Sequence, residues 1–421
     1  MVDFETAIQD AVAAQEIPGC ALAATSRDGS FTYSKAFGAT SMDSSRAKPF
    51  DLNTMMWVAS CTKLMTSISV MQLVERGKVT LDEPIYRIIP ELEEFKVLTG
   101  FTDEGAPIEE KHKKPITLRN LLTHSSGLVY EGMGHPLAAA WAKYHKKRPS
   151  GSGKLLERFN CPLMFEPGTS WTYGPGIDYV GLAVERISGL TLEEYMKKNL
   201  WGPLDITDVT FFPSTRPDLQ ARMADMSERT EEGKVKHSDS PMPYLDGEGK
   251  EVIDCMGGQG SFTCVGEYIK VLKGVLACDE GGEGKILSKA SLEEFFKPQL
   301  SEGSREMLNA VMQDDMKTML INDSKANNAM GNTPKHLTKD YGLGGIIITS
   351  DAPDGRKAGT MHWGGYPNLI WWIDRKTGLC GIYGGQVVPP GDPKCAALTM
   401  KWEEGAYELF EKHGRNGGSK I

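Results

Sequence analysis

Beyond Ser60 the apolar residues fall at Leu64, Met65, Ile68, Met71, Leu73 and Val74, the i, i+3, i+4, i+7 spacing of a helix with one face against a core. The pattern stops at Arg76-Gly77, a cation followed by a glycine able to take the left-handed conformation in which many helices end. Phe4, Ile8 and Val12 mark an opening helix, and Ile17-Pro18-Gly19 leads from it into short runs at 20–24 and 31–33 that read as a hairpin. Helical spacing recurs at 116–123, 177–188 and 192–200, the last capped by Thr191 with Glu193 and Glu194 in its first turn. Strand-like runs return at 343–349, 369–373 and 379–384, the last two divided by the turn Asp374-Arg375-Lys376-Thr377-Gly378. The expected fold class is therefore α/β (α+β): an antiparallel sheet built from both ends of the chain and flanked by helices. The expected organisation is a first part over 1–78, a mostly helical inserted subdomain over 79–205, and the second part of the sheet domain over 206–421.

Composition agrees with a globular chain of this kind. Its 421 residues are 40% hydrophobic and 24% charged, enough for a large core in two subdomains. The net charge of -9 argues against nucleic acid or an anionic membrane as a partner, and the short basic clusters at 111–114 and 146–148 read as solvated loop charge. No run of eighteen apolar residues exists, and the first fifteen residues alternate acidic and apolar types in a helical pattern unlike a secretory leader. The eight cysteines lack paired metal-ligand spacing and read as free thiols, so a reducing, cytoplasmic setting is expected. The last three residues, Ser419-Lys420-Ile421, are a variant of the peroxisomal Ser-Lys-Leu address at the end of a glycine-rich tail.

The chemistry concentrates at Ser60-Cys61-Thr62-Lys63. On a helix Ser60 and Lys63 share a face, so the amine can reach the hydroxyl. Burial among apolar neighbours lowers a lysine's pKa and makes it a proton acceptor near neutrality, while the helix N-terminus favours an oxyanion at the same point. The competing reading is a plain N-cap serine beside a surface lysine. The same spacing in Ser45-Arg46-Ala47-Lys48 lies in a polar run closed by Pro49 and is expected to be a solvated loop. Cys61 points in another helical direction and is the weaker nucleophile candidate.

Four stretches fall in a telling order: Ser60-x-x-Lys63, then Leu121-Leu122-Thr123-His124-Ser125-Ser126-Gly127-Leu128, Trp171-Thr172-Tyr173-Gly174, and His362-Trp363-Gly364-Gly365. Together they resemble the serine β-lactamase and penicillin-binding-protein superfamily. Within it the chain is most similar to the family VIII esterases and the fungal lovastatin-type transesterases. That likeness is carried also by Ile17-Pro18-Gly19, Ile116-Thr117-Leu118-Arg119, Gly257-Gly258-Gln259-Gly260, 342–347 and Pro367-Asn368-Leu369-Ile370-Trp371. The resemblance runs over nearly the whole chain and implies a class C β-lactamase-like fold.

Carried over by position, the resemblance implies Ser60 as the acyl-accepting nucleophile, Lys63 as its proton partner and Tyr173 as the second acid/base group. It implies an oxyanion hole from the N–H groups of Ser60 and Gly365. Tyr130, His362, Trp363, Tyr366 and Trp371 become candidate substrate-binding residues, and His124 a structural one. His362-Trp363 stands where β-lactamases keep a cationic lysine, and Pro175 where they keep an asparagine, so the expected substrate is a less polar ester and not a penicillin-like carboxylate. The reaction expected is two-step acyl transfer, with no cofactor and no metal. An ester or thioester donor and an alcohol acceptor of natural-product type are its expected partners, and an acyl-carrier protein is a further candidate donor. Hydrolysis of small esters is the alternative, and an inactive ligand-binding member of the fold is the alternative from another class.

Overall fold

The computed structural model describes residues 4–133, 135–146, 151–240, 242–282, 285–313, 326–327, 333–334 and 336–415. Ser419-Lys420-Ile421 lies outside the described residues.

Seven strands make the central sheet. They are β1 (Gly19–Ser26), β2 (Thr32–Gly38), β3 (Lys339–Tyr341), β4 (Ile346–Ile348), β5 (Met361–Gly365), β6 (Leu369–Asp374) and β7 (Leu379–Gly385). Their order is β3-β4-β5-β6-β7-β1-β2, antiparallel throughout, so the first strand of the chain lies between the second and the last. The register Cys20↔Gly385 to Ser26↔Leu379 joins the two ends of the chain.

Every residue of β1 is buried, because helices cover both faces of the sheet. Leu22 and Ala24 pack with Phe4 and Ile8 of α1 (Phe4–Ala13) and with Trp402 of the C-terminal helix (Pro393–Arg415). Ala21 and Ala23 face the opposite core, with Val265 and Leu272 of the helix Val265–Ala277.

The segment at 60–76 forms a 3-10 turn (Ala59–Cys61) running into α2 (Thr62–Glu75), with Gly77 left-handed at its end. The spacing predicts one buried face, but Thr62 through Leu73 are buried all round. The polar residues are tolerated because all but Ser67 find internal partners. Thr66 Oγ1 donates to Gly257 O at 2.7 Å, Ser69 Oγ to Met65 O at 2.8 Å, and Gln72 Nε2 to Asn199 O and Ile286 O, both at 2.9 Å.

Between the two parts of the sheet lie α3 (Leu118–Leu122) and α4 (Gly176–Ser188); α4 packs on α2, and α3 packs on α4. A small three-stranded sheet of Met56–Trp57, Phe262–Thr263 and Val209–Thr210 holds the approach to α2 against the 257–263 segment. Among the described residues no helix is long and apolar enough to cross a membrane.

Candidate active site

The nucleophile turn begins where the short strand Met56–Trp57 ends. Val58 N–H donates to Ser261 O at 3.1 Å, and Ala59 then takes φ = +45°, a left-handed conformation that costs a residue with a Cβ about 1–2 kcal/mol. The reversal swings Ser60 into the 3-10 turn at the head of α2. Thr62 locks it, its hydroxyl donating to Ala59 O at 2.6 Å and accepting from Ser261 N–H at 3.1 Å.

Tyr173 lies in an irregular stretch and is held by His124. That histidine is itself left-handed, at φ = +58°. Its carbonyl accepts from Thr172 N–H at 3.1 Å and its Nδ1 from Gly174 N–H at 3.4 Å. Burial and the nearby Lys63 charge hold the imidazole's pKa well below its ordinary value, so Nδ1 is an acceptor at neutral pH. His124 makes no hydrogen bond to Ser60; it clamps the residues on either side of Tyr173.

At the centre Ser60 Oγ accepts from Tyr173 OH at 2.6 Å and lies 3.2 Å from Lys63 Nζ. Lys63 Nζ also donates to Gly258 O at 2.7 Å and to Tyr130 OH at 3.2 Å, and it sits 4.7 Å from the centre of the Tyr173 ring. Burial lowers the lysine to about 7, opposed by the charge of Asp178. Burial also pushes the Tyr173 phenol well up, with the Ser60 hydroxyl opposing it. Cys61 is buried, its thiol raised by desolvation, and is an inert neighbour. Ser45 and Lys48 of the second Ser-x-x-Lys string are exposed.

Gly365 closes the site from β5. A Cβ there would stand 2.6 Å from Val58 O and 3.4 Å from Cys61 Sγ, so only glycine lets the strand end approach the nucleophile turn this closely. Trp363 lies on the same face, its ring 5.3 Å from that of Tyr173. Trp371, opposite it on β6, shares the face and is fully buried. His362 points the other way. It pairs with Trp372, whose ring packs on Trp402 and Tyr407 of the C-terminal helix, so the strand's alternation takes His362 away from Ser60 and out of the pocket.

Tyr366 is half-buried with its ring 5.8 Å from that of Trp57, and Tyr244 meets the same indole at 4.9 Å. Trp57 and Tyr244 thus join Tyr366 in an aromatic wall beside the nucleophile turn, and neither carries a motif by which the sequence marks it. Tyr130 reaches the centre, but with its hydroxyl engaged: it donates to Asp178 Oδ2 at 2.6 Å. Asp178, fully buried in the first turn of α4, is the other residue sequence reasoning missed; its position five residues after Tyr173 was the available signal. Among the described residues no cluster of side chains is arranged to hold a metal ion.

A profile of the β-lactamase family matches residues 4–399. The chain belongs to the β-lactamase family. This β-lactamase-family chain is 36% identical over 418 residues to a monacolin J acid methylbutanoyltransferase of Aspergillus terreus, covering 98% of this chain and 97% of the relative. It is also 36% identical over 411 residues to a lovastatin esterase of Penicillium rubens, covering 97% of this chain and 98% of that one. Its fold matches the unliganded structure of simvastatin synthase (LovD) from Aspergillus terreus with a TM-score of 0.84 and 36% identity, over 97% of this chain and 98% of that one. The β-lactamase-like fold expected from the motifs is the fold of the protein.

Proposed function

We propose that the chain is a serine acyltransferase in which Ser60 takes an acyl group from an ester or thioester and passes it to an alcohol of a small natural-product-like acceptor. The observation that carries this reading is the junction at Ser60 Oγ, where a desolvated amine at 3.2 Å and a phenol at 2.6 Å converge on one hydroxyl. In the first step Ser60 Oγ attacks the carbonyl, its proton passes to the Lys63–Tyr173 pair, and the same proton leaves on the departing alkoxide or thiolate. In the second step the acceptor alcohol gives its proton to the pair and attacks the acyl-enzyme carbonyl, and as the Ser60 Oγ–acyl bond breaks the pair returns that proton to Ser60 Oγ. Lys63 and Tyr173 titrate as one coupled system, and the lysine charge 4.7 Å from the phenol ring favours the phenolate in one of its two states. The Ser60 and Gly365 N–H groups are assigned to the developing oxyanion, each donor worth about a hundredfold in rate.

The acceptor and acyl sites are assigned to the aromatic surface around this junction: Tyr130, Trp363, Tyr366, Trp57 and Tyr244. With His362 on the far face, β5 offers a substrate an indole and a glycine edge instead of a cation, which suits a neutral ester. The donor is an ester or a thioester, and a thioester carried by an acyl-carrier protein is one candidate. Hydrolysis is the second reading, supported by the likeness to the Penicillium rubens esterase.

Intact-mass measurement after exposure to a panel of acyl thioesters and p-nitrophenyl esters separates the readings. An adduct lost with the Ser60→Ala substitution and discharged only by an added alcohol is the result expected. Rapid discharge by water would make the protein an esterase, and no adduct on any donor would reject acyl transfer.

A further inference from the structure

Two buried groups next to the proposed acid/base pair take no part in the steps above: the Asp178 carboxylate and the Tyr130 hydroxyl. Asp178 Oδ2 accepts from Tyr130 OH at 2.6 Å and Asp178 Oδ1 from Gly258 N–H at 2.9 Å. Lys63 Nζ donates to the oxygen of that same Tyr130, at 3.2 Å, and to the carbonyl of that same Gly258, at 2.7 Å. The lysine and the carboxylate are therefore joined by two parallel bridges, one through a phenol and one through a single peptide residue. The convergence is tight enough that a Cβ on residue 258 would stand 2.3 Å from Asp178 Oδ2 and 2.7 Å from Tyr130 OH.

We propose that Asp178, acting through Tyr130, is a positioning residue that fixes the direction and the charge state of Lys63. The proposal rests on Ser60 and Lys63 working as assigned above. A phenol has one proton to donate, and Tyr130 gives it to Asp178, so toward Lys63 its oxygen can only accept. With two of its three substituent positions directed at Tyr130 OH and Gly258 O, Lys63 has its third aimed at Ser60 Oγ. In the neutral amine that third position is the lone pair that takes the serine proton. In the ammonium it is the N–H that holds the alkoxide. Without the carboxylate, Tyr130 is free to turn and donate to the amine, which would occupy the lone pair. Asp178 also supplies negative charge to a buried cation; burial raises its carboxyl, and the Lys63 charge, the Tyr130 hydroxyl and the Gly258 N–H oppose that rise, so anion and cation sustain each other.

The other titratable groups around Asp178 do not substitute for it. Tyr173, Cys61 and His124 are buried and neutral in this setting. Arg158, the second nearby cation, has its guanidinium committed to the carbonyls of Ser152, Pro243 and Leu245.

The test follows acyl-enzyme formation with p-nitrophenyl butyrate in single turnovers between about pH 5 and pH 9. The enzymes compared are the wild type, Asp178→Asn and Tyr130→Phe. In the wild type the rate falls as pH drops through the lysine's value of about 7. Asp178→Asn removes the anion that favours the ammonium, so its acidic limb moves to lower pH, by about one unit. Tyr130→Phe removes an acceptor from the ammonium and a donor from the carboxylate, so its limb moves the same way. Both variants lose at least about tenfold at the plateau, as expected for a general base held in the wrong direction. A limb that stays in place, or moves upward, while the rate falls evenly across the pH range would reduce Asp178 to a structural role and overturn the proposal. If Asp178→Asn does not fold, Tyr130→Phe decides alone. Wild-type acylation that survives Ser60→Ala would instead sink the nucleophile assignment, so the two failures are distinct.

Discussion

Single side chains at Ser60 act through their neighbours. A lysine at the ordinary 10.5 would be an ammonium throughout the physiological range; burial brings Lys63 to about 7, where both proton states are within reach. Two predictions belong at this scale. Lys63→Ala and Tyr173→Phe should each lower kcat/KM by about 10²–10⁴-fold with little change in thermal midpoint, read from steady-state rates and a melting curve. Wild-type kcat/KM should rise with pH through about 7, since the pair accepts the serine proton only once it has lost one of its own; a profile flat from pH 5 to pH 9 would contradict the assigned proton path. Much of this was legible in the residues: Ser60, Lys63, Tyr173 and Gly365 converge as the motifs imply. Trp57 and Tyr244 were not, because their contacts are made across the fold and leave no local spacing; Asp178 left only its place five residues after Tyr173, while its partners Tyr130 and Gly258 come from distant segments. His362 and Trp363 are adjacent in a strand and so must face opposite ways, but which of them faces Ser60 is settled only by the register of β5 on β6.

At the level of elements, the parts that follow their hydrophobic period were foreseen. The opening helix, the hairpin β1–β2, β6, β7 and α4 lie close to where the pattern puts them. The two-residue strands around Trp57 were not, being too short to show a period. The all-round burial of α2 was also missed, because hydrogen bonds from Thr66, Ser69 and Gln72 let polar residues enter a core that a periodicity rule reserves for apolar ones. The irregular stretch bearing Tyr173 depends on glycine in a way that can be tested. A Cβ on residue 174 would stand 2.0 Å from Leu128 O, a backbone atom with no rotamer to change. Gly174→Ala should therefore cost about 1–3 kcal/mol in denaturant unfolding and displace Tyr173 enough to abolish Ser60 acylation. The opposite case is Ala59: its left-handed φ of +45° suits glycine, so Ala59→Gly should match or exceed wild-type stability, by up to about 1 kcal/mol, while loosening the turn that aims Ser60.

Across the whole molecule, the same logic of buried charge acts far from the site. Glu403, fully buried in the C-terminal helix, lies 3.5 Å from Arg356, and desolvation raises its carboxyl from 4.5 to about 8. Its folded value exceeds its unfolded one, so the stability it contributes is complete below about 4.5 and is lost as pH rises through about 8. Glu403→Gln keeps the side chain neutral, and its thermal midpoint should fall less than that of the wild type between about pH 5 and pH 9, by a few °C. The order of the sheet has a further consequence, for how the protein is made. Because β1 is flanked by β2 and by β7, a nascent chain cannot complete the platform beneath Ser60 until the ribosome has passed residue 385. Gly365 and Trp363 are translated late as well, roughly three hundred residues after the serine they face. The reactive hydroxyl thus has its lysine and phenol made early, and the strand edge and indole that complete its surroundings reach it only after about two hundred further residues have been added to Tyr173.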